Sequence, residues 1–521
     1  MLNYWWVTRP KRKLTTVPEV LATVVEMTLN REWSGQRDTH LCLEDALEDA
    51  GLKRTGERRD QGGGGARTYV AWLKSLGLLF TQESTKQIKL TLAGEAIFNG
   101  ESPVPILTRQ IIKYQFPSTF SISRGVGVHE RFKIHPFWFL IKLLCDDRLC
   151  YLTQDEIEKI IIVEAENDGK RCYEQIVSRI LQFRNEGSDC IRDDYFDEYT
   201  STRAVARKTA ETGNLKDVAN TIINWLEYTQ LISRDRGCVR ILPDKFQEAC
   251  EIAKEPPCFI DHPEDEENFQ RKFGVDPRHN KDTRNLTNTK TITSQIIDES
   301  KIRTAFLNLS ILQPIAKINS ALINQISEKT GISVGLVEDT LYKNYPNGAI
   351  GGFLTNFFEM AFKGREDATE FEKATVSIFK DVFGFETHHV GPKGLTPDVH
   401  IISDAEGYQG IIDNKAYRKY AITNDHYNRM VDNYINGLNN YSNSLYPLAF
   451  FSYIAGDFSE NINSQLMKIV TKTGVNGSAL SITNFIRMIE NQMKTPYQHS
   501  DIRRLLGLNR EVLLRDIERY K

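Results

Sequence analysis

Along the N-terminal half of the chain, apolar positions recur at helical spacing, and short β-branched runs between turn residues take over only further on. Residues 17–29 (VPEVLATVVEMTL) predict a helix, with Pro18 suited to its first turn. Residues 41–50 predict a second, stopped by Gly51. A four-glycine run at 62–65 reads as a flexible loop and leads into a third helix at 66–76 (ARTYVAWLKSL). Its apolar side holds Tyr69, Val70, Leu73 and Leu76, and its other side offers Arg67, Thr68 and Lys74. Residues 77–80 and 86–92 then form a hairpin. Three helices and a hairpin predict a winged helix-turn-helix over 17–100, with 66–76 as the recognition helix.

Helical periodicity continues. Residues 106–114 and 134–144 (IHPFWFLIKLL) predict core helices, and Thr153 to Glu156 have N-cap character ahead of 157–163. His135, before a proline on an apolar face, reads as a structural histidine. Residues 218–231 predict a helix and 232–242 (ISRDRGCVRIL) a hairpin turning at Arg236-Gly237, which echoes 66–92 as a second winged unit. Residues 254–300 combine prolines, an acidic cluster at Glu264 to Glu267 and a Thr/Asn-rich run, which predicts a linker with solvated acids. Residues 301–360 return to helix, and 354–362 (LTNFFEMAF) predict packing on the sheet that follows. The expected division is 1–102 and 103–253 as recognition domains, 254–300 as connector and 301–521 as a final domain. The expected fold is multidomain: mostly α winged-helix units, then an α/β domain with a central mixed sheet flanked by helices.

The strand pattern is clearest at 396–417 (TPDVHIISDAEGYQGIIDNKAY), where two apolar runs flank a polar turn. Asp398 opens the first run; Asp413 and Lys415 end the second. A period of two puts Asp413 and Lys415 on one face of their strand, and Asp398 can lie across from them. Two carboxylates and an ammonium at a sheet edge suit a Mg²⁺ site, because Mg²⁺ takes one or two carboxylates together with substrate phosphate and water. Asp398 and Asp413 are the expected ligands, the carbonyl of Asn414 a further oxygen, and Lys415 the holder of the attacking water. This is the PD…(D/E)xK pattern found in many nucleases; alone it is loose, since Asp and Lys two apart at a strand end are usually solvated.

Composition sharpens this modestly. A chain of 521 residues holds several domains, with enough apolar content (40%) for ordinary cores. No apolar run is long enough for a membrane span, and no signal-peptide pattern opens the chain. Eight scattered cysteines without a CxxC predict reduced core thiols and a cytoplasmic setting. The net charge of −3 hides an asymmetry. Residues 1–140 carry 19 basic against 14 acidic side chains, 141–300 carry 23 against 32, and 301–521 carry 24 against 23. A nucleic-acid surface needs only a local basic face. The candidates are Arg9, Lys11, Arg12 and Lys13 (a phosphate-binding arm or a solvated tail), Arg67, Thr68 and Lys74 on the recognition helix, and Arg234, Arg236 and Arg240 along the second hairpin.

The flanks of the hairpin carry a resemblance. Phe371-Glu372 begins a helix ending in Val382-Phe383-Gly384-Phe385, Ala416-Tyr417 follows the lysine, a helix holds Asp425 and Arg429, and 448–458 (LAFFSYIAGDF) and 474–480 (GVNGSAL) complete the series. In this order and spacing, residues 371–489 resemble the cleavage domain of the FokI-type, type IIS restriction endonucleases. IKYQFPS and IHPFWFLIKLL are similar to recognition regions of the AlwI and BstNBI kind. The resemblance implies a Mg²⁺-dependent enzyme that binds a short asymmetric double-stranded DNA sequence and cuts at a fixed distance outside it. It implies that Glu372, or else Glu370, supports the metal or water. It also implies that Asp425 and Arg429 pair one cleavage domain with that of a second copy. A strand-specific nicking enzyme and a non-catalytic DNA-binding regulator are the alternatives; no membrane partner is expected.

Overall fold

The computed structural model describes residues 2–28, 31–55, 62–122, 127–191, 195, 199, 213–235, 237–276, 279, 281–286, 294–364, 368–391 and 394–519. The chain divides into two compact units, one of residues 1–308 and 320–344, the other of 309–319 and 345–521. In this two-way division residues 301–308 and 320–344 fall with the first unit.

The first unit opens with α1 (Val17–Thr28), α2 (Arg37–Asp49) and α3 (Gly64–Ser75), followed by the antiparallel hairpin β1 (Leu79–Thr81) and β2 (Ile88–Leu90). Thr91 caps α4 (Leu92–Phe98) by accepting from Gly94 N–H at 3.1 Å. Next come α5 (Pro103–Ile112) and α6 (Pro136–Leu144), whose apolar faces are buried around Phe137 and Trp225, stacked at 5.7 Å. His135, 1% exposed, holds Asp168 at 2.6 Å, the structural role expected of it. β3 (Leu152–Thr153) ends in a capping box between Thr153 and Glu156. α7 (Lys170–Glu186) and α8 (Gly213–Tyr228) precede β4 (Ile232–Asp235) and β5 (Cys238–Ile241), which form a three-stranded sheet in the order β3-β5-β4. Residues 2–13 are no loose tail: Trp5 is fully buried and its Nε1 donates to Ala165 O at 2.8 Å.

Part of the expected linker is core. After α9 (Phe246–Ala253), Asp265 caps α10 (Glu266–Phe273) by accepting from Asn268 N–H at 3.0 Å. α10 carries acids in its first turn and cations in its last, which matches the helix dipole. It packs against β1 with Phe269 and Phe273 each 2% exposed. Gln110 Nε2 donates to Phe273 O at 3.0 Å, Gln270 Nε2 to Lys74 O at 2.7 Å, and Ala93 N to Gly274 O at 2.8 Å. The acidic cluster that read as solvated supplies Glu266 and Glu267 to this contact, where they accept from the N–H groups of Thr81 and Glu83.

The second unit is a mixed six-stranded sheet. α11 (Gly351–Met360) and α12 (Ala368–Ser377) lead into β6 (Glu386–His389), β7 (Val399–Ser403) and β8 (Tyr408–Lys415), all antiparallel. α13 (Asn424–Asn428), extended as a π-helix to Ile435, precedes β9 (Leu448–Ala455), α14 (Ile462–Thr473), β10 (Asn476–Ser481), α15 (Ile482–Lys494) and β11 (Arg510–Glu511). The order is β11-β10-β9-β8-β7-β6, parallel from β8 to β11. One face packs Ile411, Phe451 and Tyr453 against Met430, Val431 and Leu466. On the other, α12 packs against β7 and β8, and α15 against β9 and β10. Of residues 354–362, Phe357 meets Phe371 at 5.1 Å and Phe485 at 5.7 Å on the helices that cover the sheet, and Phe362 lies against Gly456 at the end of β9.

If α10 is core, Phe273→Ala lowers the stability of the first unit by about 3–5 kcal/mol, the usual cost of deleting a buried aromatic ring. Denaturant unfolding measures it; an unchanged midpoint would show that the segment is a dispensable connector.

Candidate active site

Register assembles the site. β7 and β8 pair Val399 with Ile412 and His400 with Ile411, and one further step sets Asp398 across from Asp413. Directly opposed residues share a face. Asp398 Oδ2 accepts from Asn414 N–H at 2.6 Å, which closes the ladder with a side chain. Asp413 Oδ2 lies 2.6 Å from Lys415 Nζ, with side chains 3% and 13% exposed. The period-of-two expectation thus becomes a direct contact. Asn414 turns the other way, its Nδ2 donating to Thr375 Oγ1 at 2.7 Å.

Between the two glutamates left open by the sequence, geometry separates the roles. Glu372, on α12, holds His389 Nε2 at 2.8 Å. A Cβ on Gly391 would stand 3.1 Å from Glu372 Oε2 and 3.4 Å from Asp398 Oδ1, so one glycine is flanked by both carboxylates. Glu370 instead pairs with Lys373 at 2.8 Å on the exposed side of the helix. Gly391, His389 and Thr375 position the site yet carry no motif; only folding brings them to it.

The electrostatics are those of three acids around one cation. Burial, then the charges of Asp413 and Glu372, push the Asp398 carboxyl well above the ordinary carboxylate range, against the pull of Lys415 and the Asn414 N–H. Burial works against the Lys415 ammonium, but Asp413 and Asp398 outweigh it and raise its pKa. Asp413 Oδ1 is buried with no hydrogen-bond partner among the described residues. An orphaned carboxylate oxygen at this burial is costly unless something positive meets it. The donors are oxygens only: Asp398, Asp413 Oδ1 and the Asn414 carbonyl. Among the described residues no cluster of three or more His, Cys, Asp or Glu forms a ready metal cage. A sparse oxygen set of this kind suits a hard cation that keeps waters.

The other expected residues are dispersed. Asp425 and Arg429 pair within their own helix at 3.0 Å, 64% and 46% exposed. Arg67 and Thr68 are exposed at the start of α3, bonded to Gly62 O and Gly64 O. Lys74 is corrected: its side chain is 13% exposed, bound to Glu266 at 2.7 Å and Thr81 Oγ1 at 2.6 Å, because α10 lies where solvent was expected. Arg9 lies 4.3 Å from the Trp6 ring. Burial lowers the Lys11 pKa against the pull of Glu19, Arg12 pairs with Asp217 at 2.8 Å, and Lys13 is exposed. Arg234 folds back onto Asn220 Oδ1 at 3.1 Å rather than lining a wing, while Arg240 is exposed, 5.3 Å from the Tyr151 ring. Arg236 lies outside the described residues.

Residues 74–338, just over half the chain, match the AlwI restriction endonuclease family. The chain belongs to that family. Residues 331–513, which hold Glu372, Asp398, Asp413 and Lys415, match the FokI cleavage domain. This AlwI-family member is accordingly a restriction endonuclease, a site-specific deoxyribonuclease that binds DNA. Among solved structures, restriction endonuclease FokI is similar at 13% identity and a TM-score of 0.29, covering 99% of this chain and 100% of that one. FokI bound to DNA is similar at 14% and 0.28, covering 98% and 100%. The BpuJ1 endonuclease binding domain in complex with modified DNA is similar at 15% and 0.35, covering 52% and 96%. No curated protein matches the chain.

The raised Asp398 pKa has a stability consequence. The folded state keeps this proton where the unfolded chain has lost it, so stability falls as pH rises from the ordinary carboxylate range through the folded value. In metal-free buffer, Asp398→Asn therefore raises the thermal midpoint at neutral pH, and the gain disappears below about pH 4, the ordinary carboxylate range. Parallel melts across pH check this; a midpoint lowered at neutral pH would contradict it.

Proposed function

We propose that this chain is a type IIS restriction endonuclease. Its N-terminal unit reads a short asymmetric duplex sequence, and its C-terminal unit hydrolyses a phosphodiester at a fixed distance outside it. The observation that carries this is the trio of Asp398, Asp413 and Lys415, set by strand register on one sheet face in the unit that matches a cleavage domain. The N-terminal unit begins with three helices and a hairpin, the element order of a winged helix, and Arg67 and Thr68 stand exposed at the start of α3, the end that such a helix points at bases.

The reaction is in-line attack of water on phosphorus, with loss of the bond to the departing sugar oxygen. Lys415 stays an ammonium, orients the attacking water and adds positive charge beside the phosphate. Asp398 and Asp413, with the Asn414 carbonyl, would hold Mg²⁺, and the orphaned Asp413 Oδ1 fits that role. When bound, the ion stabilises charge building on the phosphate oxygens. Glu372, flanking the same glycine as Asp398, supports the water or the ion. The eight unpaired cysteines support a reducing, cytoplasmic setting in a bacterial cell.

One site cuts one strand, so a double-strand break uses a second copy, paired through the helix of Asp425 and Arg429. A strand-specific nicking enzyme is the second reading, favoured by the observation that these two side chains already satisfy each other within one helix.

Plasmid digestion with Mg²⁺ and an EDTA control, followed by sequencing of the ends, tests the main reading. Discrete ends at a constant offset from one asymmetric motif are expected, and Lys415→Ala is expected to lower the rate by about 10²–10³-fold or more while DNA binding survives. A Lys415→Ala variant that cuts as wild type would sink the catalytic assignment. Arg429→Asp is expected to slow the second cut by roughly tenfold or more, so that nicked plasmid accumulates before linear. Wild type that yields only nicks on one strand selects the nicking enzyme.

A further inference from the structure

The helix over the catalytic face begins with a residue that no motif contains. Thr423 caps α13, its Oγ1 accepting from His426 N–H at 3.3 Å, which places His426 in the first turn. The imidazole is tied at one nitrogen only: His426 Nδ1 meets Tyr420 Oη at 2.8 Å. Tyr420 is a rigid support. It is 2% exposed, its main-chain N–H donates to Asp457 O at 2.8 Å, and its ring lies 5.5 Å from that of Tyr453. Tyr453 is the β9 partner of Asp413 in the sheet register. A short chain of packed rings therefore runs from the strand position beside Asp413 to His426.

The charges agree with the geometry. Burial, together with the charge of Asp413, raises the Tyr420 pKa, so its hydroxyl keeps its proton and has one to donate. Burial and the nearby Lys415 ammonium lower the His426 pKa, against the opposite pull of Asp413 and Asp425, with Arg429 lowering it further. A neutral imidazole that accepts at Nδ1 carries its hydrogen on Nε2. The ring is half-buried, and Nε2 has no protein partner among the described residues. A fixed N–H donor on the helix that packs over Ile411 and Tyr453, within electrostatic reach of the Lys415 ammonium, is matched to an anionic oxygen.

We infer that His426 is a further substrate-contacting residue of the cleavage site, held by Tyr420 so that its Nε2–H meets a phosphate oxygen of the strand being cut. This rests on the proposed nuclease function and adds to it a donor outside the Asp398, Asp413 and Lys415 trio. His426 binds and orients the phosphate; Tyr420 is a positioning residue.

The test uses the full chain and a supercoiled plasmid that the wild type cuts in Mg²⁺. Single-turnover rates are compared for wild type, Lys415→Ala, His426→Ala, His426→Gln and Tyr420→Phe. Gel-shift affinity in EDTA and thermal midpoints are measured alongside. His426→Ala is expected to slow cleavage by about 10²-fold with affinity and midpoint unchanged. His426→Gln, which keeps an N–H donor at similar reach, is expected to recover roughly tenfold, and Tyr420→Phe to fall between wild type and alanine. A His426→Ala rate within twofold of wild type overturns the inference, and so does a glutamine variant as slow as alanine, which would make the residue merely structural. Wild type that cuts nothing, or Lys415→Ala that cuts normally, overturns the nuclease assignment and this inference with it; a dead Lys415→Ala beside an unaffected His426→Ala overturns this inference alone.

Discussion

Two carboxylates buried against one ammonium are the constraint on which the C-terminal unit depends. Asp398 and Asp413 stand opposite each other in the sheet, and Lys415 binds only the second of them directly. Such a cluster opposes folding, because the charges give up more solvation than one ion pair returns. The surroundings bear that cost in a particular way. The ladder is closed on Asp398 by the Asn414 N–H, Asn414 is anchored to Thr375, and both sheet faces are sealed by helices. Among the described residues, Asp413 Oδ1 and Asn414 Oδ1 are left buried there without a hydrogen-bond partner. On the proposed reading, a cation would meet the buried Asp413 Oδ1. Metal dependence would then follow from the fold, beyond the chemistry of the step.

The N-terminal unit solves a different problem. Its basic side chains are mostly engaged with the protein: Lys74 with Glu266, Arg12 with Asp217, Arg284 with Glu95 and Asp282. α3 is buried along most of its length, leaving Arg67 and Thr68 exposed at its start. The remainder packs against α1, α2 and β1. Exposed cations tied to protein acids also lower non-specific phosphate affinity, which counterion release would otherwise make large. The acidic surplus of residues 141–300 acts in that sense: two of its glutamates sit on the β1–β2 hairpin rather than in solvent.

Legibility followed the range of the interactions. The juxtaposition of Asp398, Asp413 and Lys415 was readable because a strand's period of two is local and survives folding; Asp413 and Lys415 had to share a face wherever the strand went. The Thr153 capping box and the hairpin at 232–241 were readable for the same reason. α10 was not. It buries only two phenylalanines, sits among prolines and acids, and is recognisable as core only once Gln110, Gln270 and Gly274 meet across long sequence separations. Lys74 was misread in consequence, since helical periodicity shows which side faces away from one core and says nothing of a second element arriving there. Gly391 and His426 were unreadable because their roles exist only relative to Asp398 and Asp413.

On the proposed dimeric reading, the Asp425–Arg429 pair would set the cost of bringing two cleavage domains together. As an exposed pair four residues apart on one helix it is worth about 0.3–0.5 kcal/mol, so breaking it costs little and re-forming it with a second copy returns little. An interface built on such an exchange is weak by construction. Two free chains at low concentration would seldom pair through it, whereas chains held on one DNA molecule meet at a high effective concentration and need no stronger contact. Weakness at the helix of Asp425 and Arg429 is then a functional property, and it lies within a few residues of His426, on the same helix that covers the catalytic face.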